Sequence, residues 1–195
     1  MKVNIKNNIK QITRGLDKQQ KKQIPFATAN AINQTLFQTR KVMMKQTEQK
    51  LDRPTPFTVK SYLVNKAKKS QLHGILFIKE AAEKYLKFQI EGGVRSPGKK
   101  FGIPTKLAKL NKFGNIPGRK KGLVKEKSQF LQTINGISGV WERTKDNKLK
   151  LIVALKNSAT YVPKLPFYDI ASNYAASKFN KNFVSQLNRA LRSAK

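Results

Sequence analysis

The stretch PFATANAINQTLFQTRKVMMKQTEQKL (25–51) decides how this chain reads, because it contains no Gly or Pro after its first residue and carries a helical apolar period. Ala29, Ile32, Leu36, Met43 and Thr47 fall on one stripe, which predicts a long helix with a core-facing side. Its adjacent methionines read as core filling rather than as a special site. Pro25 is expected in the first turn, where a missing N–H is tolerated. The helix should stop at RPTPF (53–57), since prolines on both sides of Thr55 push the backbone into an extended path. Arg53, Pro54, Pro56 and Phe57 are therefore expected to form a structural corner.

Working outward, Val3, Ile5, Ile9, Ile12 and Leu16 predict a short amphipathic helix, and DKQQKKQ (17–23) a turn or linker, so that 1–23 is helix plus linker. After the corner, VKSYLVNKA (59–67) and LHGILFIKE (72–80) read as an antiparallel strand pair, and AAEKYLKFQIE (81–91) as a short helix. SQFLQTI, GVWERTK and KLKLIVALK read as a three-stranded meander turning at Asn135-Gly136 and Asp146-Asn147. TYVPKLPFYDI, with Pro163 and Pro166, is a connection or an edge strand. A final helix over about 167–194 should bury Ala176, Phe179, Phe183, Leu187 and Leu191. The expected architecture is α+β: an antiparallel sheet packed by one long helix and a C-terminal helix, in a single domain over 24–195 with a projecting loop over 92–122.

That loop, GGVRSPGKKFGIPTKLAKLNKFGNIPGRKKG, holds Arg95, Lys99, Lys100, Lys106, Lys109, Lys112, Arg119, Lys120 and Lys121 and no Asp or Glu. Its glycines and prolines rule out one continuous helix or strand, leaving helical turns open only over 104–113. It reads either as a solvated flexible segment or as a presented basic loop contacting DNA or a partner. Phe101, Leu107, Leu110 and Phe113 favour partial order and are candidates for a subunit interface.

Across the chain 41 Lys plus Arg face 10 Asp plus Glu, a formal charge of +31, while a hydrophobic fraction of 38% is ordinary for a folded protein. Such a surplus calls for a polyanionic neighbour. No apolar run approaches the roughly 20 residues needed to cross a bilayer, and the first residues lack the apolar core of a signal peptide, so a cytosolic site of synthesis and no membrane partner are expected. Zero cysteines exclude disulfides and thiolate chemistry. The ten acids show no D-x-D or E-x-x-H spacing, and the close pairs Glu48/Asp52 and Glu80/Glu83 are accounted for by pairing with nearby cations. His73, the single histidine, lies in a predicted strand, and GRKKG is not a phosphate-binding loop. Trp141 reads as a core or sheet-face aromatic. No catalytic, metal or cofactor site is expected.

RPTPFT (53–58) follows PFATANAINQT, and is succeeded by YLKFQIEGGVR, FGNIPG, NGISGVWER and LPFYDIA. In this order the set resembles the minor tail protein Z, or tail-completion, family of bacteriophages, from about Ile24 to the C-terminus. The segment after Gly93 departs from that pattern in being richer in lysine and poorer in acids. The resemblance implies a non-enzymatic virion protein of the tail or neck, acting at the head-proximal end in head–tail joining and DNA passage. It also implies a homo-oligomeric ring, for which a hexamer is one closure, with tail or neck proteins and double-stranded DNA as neighbours. The competing reading is a basic nucleic-acid-binding structural protein of ribosomal or nucleoid type. Against it, the cations run through every predicted element and no RNA-binding aromatic pair occurs.

Overall fold

A computed structural model describes residues 18–117, 124 and 126–193. The expected helix over the first sixteen residues lies outside them. The elements, in chain order, are α1 (Lys18–Lys50), α2 (Pro56–Val59), β1 (Tyr62–Asn65), β2 (Ile75–Ile78), α3 (Glu80–Ile90), β3 (Gly93–Arg95), β4 (Phe101–Pro104), β5 (Gln129–Ile134), β6 (Ile137–Arg143), β7 (Leu149–Lys156), β8 (Ala159–Tyr161) and α4 (Phe167–Arg192). The fold is α+β. The sequence reading places 24–195 in one domain; the chain divides into two compact units, one made of the parts before Glu91 and from Lys164 onward, the other of Glu91–Pro163.

The first unit is built on α1 and α4, which pack extensively on each other. The predicted α1 stripe is buried in full, Ala29, Ile32, Leu36, Met43 and Thr47 all being 4% exposed or less. Small residues let the two helices approach closely, and the buried threonines satisfy their hydroxyls by turning back onto the helix. Thr28, Thr35, Thr39 and Thr47 donate to the carbonyls of Ile24, Ala31, Thr35 and Met43 at 2.7–2.8 Å. On α4 the buried line is Ala171, Ala175, Phe179, Phe183 and Leu187. Ala176, expected there, is exposed: counting back by four from Phe179 reaches Ala175, so the stripe had to run one residue earlier.

Helix α1 also begins earlier than expected. It is already helical at Lys18, so part of the expected linker is helix and Pro25 lies inside it rather than in its first turn. At its other end Arg53 takes a left-handed φ of 44°, the conformation that ends helices. The corner is not wholly extended. Thr55 caps the single-turn helix α2, accepting from the Thr58 N–H at 3.3 Å, with a proline in its first turn.

The β1–β2 hairpin pairs antiparallel, Tyr62 opposite Ile78 and Asn65 opposite Ile75. It is fastened to α1 by polar contacts as well as by packing. Asn33 accepts from the Ala67 N–H at 2.7 Å and donates to its carbonyl at 3.0 Å, and Arg40 Nε donates to the Tyr62 carbonyl at 2.8 Å. Tyr62 is fully buried, stacks on Phe167 with ring centroids 6.1 Å apart, and shares a 2.6 Å hydrogen bond with Thr47. His73 lies in the exposed connection before β2, not in a strand.

The second unit is a four-stranded antiparallel sheet in the order β4-β7-β6-β5, with a separate β3-β8 pair. The predicted meander is β5-β6-β7. Its turns use Asn135 (φ 50°), Gly136 (φ 76°) and Asn147 (φ 54°), all in the left-handed region that Asn and Gly tolerate. A β-bulge interrupts the β6–β7 register at Val140/Trp141. Just before it, Gly139 lets the strands close up: a Cβ there would stand 2.4 Å from the Val153 carbonyl oxygen. Only Val140 and Val153 of this unit's apolar side chains are buried among the described residues.

Candidate nucleic-acid interface

The segment expected to project as a loop is partly sheet. Gly93–Arg95 pairs with Ala159–Tyr161, and Phe101–Pro104 pairs with Val153–Lys156. The glycines do rule out one continuous strand across the segment. They do not prevent two short ones, because each finds its partner some sixty residues later.

Past β4 the chain forms two closed turns and no helix, in place of the helical turns open over 104–113. Thr105 Oγ1 donates to the Leu151 carbonyl at 2.8 Å and accepts from the Leu107 N–H at 3.2 Å. Asn111 Oδ1 accepts from the N–H groups of Phe113 and Asn115 at 2.9 and 3.0 Å, an Asx-type closure.

These pairings sort the expected cations into two groups. Arg95, Lys99 and Lys100 lie at one end of the sheet, joined there by Lys156, which sits opposite Phe101 in the β4–β7 register. Residues 92–104 and 154–161, which build this end, contain no carboxylate. Arg95 is half-buried with its guanidinium 5.9 Å from the Phe101 ring centre, while Lys99 and Lys100 are exposed. Lys100 Nζ donates to Ser138 Oγ at 3.4 Å. Lys106, Lys109 and Lys112 are exposed on the turns that leave β4 from its other end, with Lys112 Nζ 5.1 Å from the centre of the Phe113 ring. Arg119, Lys120 and Lys121 lie outside the described residues.

The apolar candidates divide likewise. Phe101 and Phe113 are half-buried beneath their cations, whereas Leu107 and Leu110 are exposed. At the corner Pro54 is half-buried, Phe57 is exposed, and Arg53 makes a two-pronged contact with Asp52 at 3.0 Å for each prong. That contact, led by its hydrogen bonds, holds the Asp52 carboxyl below the usual carboxylate range.

Cations that sequence reasoning did not single out also stand with exposed aromatics. Lys66 Nζ lies 5.7 Å from the Phe37 ring centre and Lys69 Nζ 5.0 Å from that of Phe26, where the β1–β2 connection crosses α1. Their signal in the sequence was only KAKK (66–69), which begins at the end of the predicted strand 59–67 and runs into the turn after it. That the turn would lie over two α1 phenylalanines depended on Asn33 pinning Ala67.

The few acids have electrostatic duties. Glu80 and Glu83 occupy the first turn of α3 and Asp169 that of α4, with Lys87, Arg189 and Arg192 in the last turns, as helix dipoles favour. Glu80 pairs with Lys84 at 3.2 Å. With ten carboxylates for 41 cations, one-to-one pairing could neutralise under a quarter of them. Among the described residues no group of three or more His, Asp or Glu could hold a metal ion. No helix among them is long and apolar enough to cross a membrane.

No protein-family model, curated protein or solved structure matches the chain.

Proposed function

We propose that this chain is a non-enzymatic structural protein of a bacteriophage tail or neck, assembled at the head-proximal end of the tail with its cationic surface against double-stranded DNA. The observation that carries the nucleic-acid part is the evenness of the charge. Positions 91–163 hold 16 Lys and Arg against 4 Asp and Glu, a net of +12 over 73 residues. The remainder holds 25 against 6, a net of +19 over 122 residues, so both units carry nearly the same positive charge per residue. A basic tail would concentrate it. Charge spread over folded surfaces suits a protein lying along a phosphate backbone and neutralising it without reading bases.

The tail-specific part rests on the ordered motifs. What supports it is that GGVR, FGNIPG and NGISGVWER contain Gly92, Gly93, Gly114, Asn135 and Gly136, all at positive φ, so these motifs include residues chosen for backbone shape. The test combines two measurements on the purified protein. Duplex DNA affinity should fall with salt at a log–log slope near −5 if about six phosphates are contacted. Labelled protein added to tails should appear by electron microscopy at their head-proximal ends. A slope near −1 removes the nucleic-acid part. Steep binding with no tail association, but co-sedimentation with ribosomes or nucleoids, favours the ribosomal or nucleoid reading instead.

A further inference from the structure

Two runs of this chain go fifteen residues or more without a Lys or Arg, 23–39 and 128–142. Burial accounts for the first, which lies in α1 and includes Ala27, Ala31, Thr35, Leu36 and Thr39, all 1% exposed or less. Nothing of the kind accounts for the second. It is the β5–β6 hairpin, where Leu131 is 58% and Ile137 43% exposed.

Strand β5 is also the last in its sheet, so among the described residues no strand covers its outer side. The Arg143 N–H donates to the Ser128 carbonyl at 3.0 Å, which sets the phase of the β5–β6 ladder. Residues at 128, 130, 132 and 134 therefore bond to β6, and Leu131 and Thr133 direct their N–H and C=O groups outward. Edge strands are ordinarily guarded by lysine, proline or a bulge. The β4 edge follows that rule, being four residues long, ending in Pro104 and flanked by Lys100 and Lys106. Strand β5, QFLQTI, is longer and holds no Lys, Pro or bulge within its six residues, its one flanking cation being Lys127 two residues before it, in a chain where more than one residue in five is Lys or Arg.

We infer that the outer edge of β5 is a self-association surface, on which a second copy of this chain pairs its own β5 antiparallel. The charge distribution selects a second copy as the occupant. An acidic partner would be drawn to the lysines and away from a neutral strand, whereas a copy carrying the same +31 can approach closely only where cations are missing. Antiparallel pairing about a two-fold axis is self-complementary and sets no like charges opposite each other, because the strand contains none. This inference does not rest on the tail-protein reading.

The test is light scattering after size exclusion of the nucleic-acid-free full chain, at low and high salt. The expected wild-type species has twice the 22.1 kDa chain mass. The dimer should strengthen with salt, which screens the repulsion between copies, while DNA binding weakens. Leu131→Lys places a charge on the edge, and Thr133→Pro removes an outward N–H that β6 does not use. Both should yield monomer with the Trp141 emission of the wild type. If Thr133→Pro alters that emission, Leu131→Lys decides. A wild type larger than a dimer that falls to a smaller species in the variants supports the edge as one contact of that assembly. A monomeric wild type at both salts, or an assembly unchanged by Leu131→Lys, overturns the inference, and neither result bears on DNA binding or on tail association.

Discussion

Asn182 Nδ2 donates to Thr35 Oγ1 at 2.8 Å across 147 positions of sequence, and to Gln38 Oε1 at 2.9 Å. Both Asn182 and Thr35 are buried where α4 meets α1, and Gln186 continues the seam to Gln34 at 2.7 Å. Because the Thr35 hydroxyl already donates to the Ala31 carbonyl, it is free to accept from Asn182, and no fully buried side-chain polar atom among the described residues is left without a partner. Such a seam fixes the register of the two helices, since sliding one against the other would strand buried polar groups.

Asn182→Ala removes both bonds and leaves a small cavity, and is expected to destabilise the chain by about 2–3 kcal/mol. Asn182→Asp should be worse, because it would place a carboxylate against the hydroxyl and amide oxygens of the seam. Urea unfolding followed by helical circular dichroism measures both. A loss under about 0.5 kcal/mol for Asn182→Ala would mean that the apolar stripe alone sets the helix register.

Burial, opposed by the hydrogen bond to Thr47, raises the Tyr62 hydroxyl pKa above its ordinary value. The folded protein therefore keeps a proton that the unfolded chain releases above about pH 10. By linkage the contribution is fully present below that pH and is lost as pH rises toward the folded value. Tyr62→Phe is expected to cost about 1 kcal/mol at neutral pH, Thr47 keeping its bond to Met43, and to make stability fall less steeply above pH 10. Unfolding curves at neutral pH and above pH 10 test this, and equal alkaline slopes for the two proteins would assign the titration to other groups.

Gly139→Ala drives a Cβ against the Val153 carbonyl, so β6 and β7 must separate. The expected cost is about 1–3 kcal/mol, felt in the sheet of the second unit. Trp141, the single tryptophan, lies on β6 with its indole N–H 3.2 Å from the Gln132 carbonyl, so its fluorescence reports this sheet. The fluorescence midpoint in urea should drop more than the helical circular dichroism midpoint. A Trp141 transition identical to that of the wild type would show that the strands can accommodate the methyl group.

Replacing Lys99, Lys100 and Lys156 with Gln removes three cations from the end of the sheet built by residues 92–104 and 154–161, which contain no carboxylate. Stability should stay within about 0.5 kcal/mol, as for exposed charges generally. If all three contact phosphates, the salt slope of DNA binding should become shallower by about 2.7. The matched set Lys106→Gln, Lys109→Gln and Lys112→Gln gives the comparison for the other end. Unchanged slopes in both would move the DNA contact to the first unit, where Lys66 and Lys69 lie near Phe37 and Phe26.

Local patterning made much of this architecture readable. Residues 29, 32, 36, 43 and 47 share a face because a helix repeats every 3.6 residues, and all of them are buried. Asn135-Gly136 and Asp146-Asn147 marked hairpin turns because few other residues accept positive φ. The motif order and the sparse acids, equally, are properties of the chain as a string.

What the string left undetermined is whatever depends on partners far along it. Whether 92–104 would be loop or strand turned on Ala159–Tyr161 and Val153–Lys156 being available to pair, and no local pattern encodes that availability. The same pairings divided the six described cations of the basic run 92–122 between opposite ends of a sheet, and brought in Lys156 from a strand read only for its apolar side chains. Pro25, read as a helix start, became interior once the helix extended back to Lys18. Asn182 carried no signal at all, because a polar residue on a helix announces a buried role only when another helix brings it a partner. Sequence determines the elements through periodicity and backbone preference, both local; which faces are covered, and where charge and open edges meet, is decided by long-range packing.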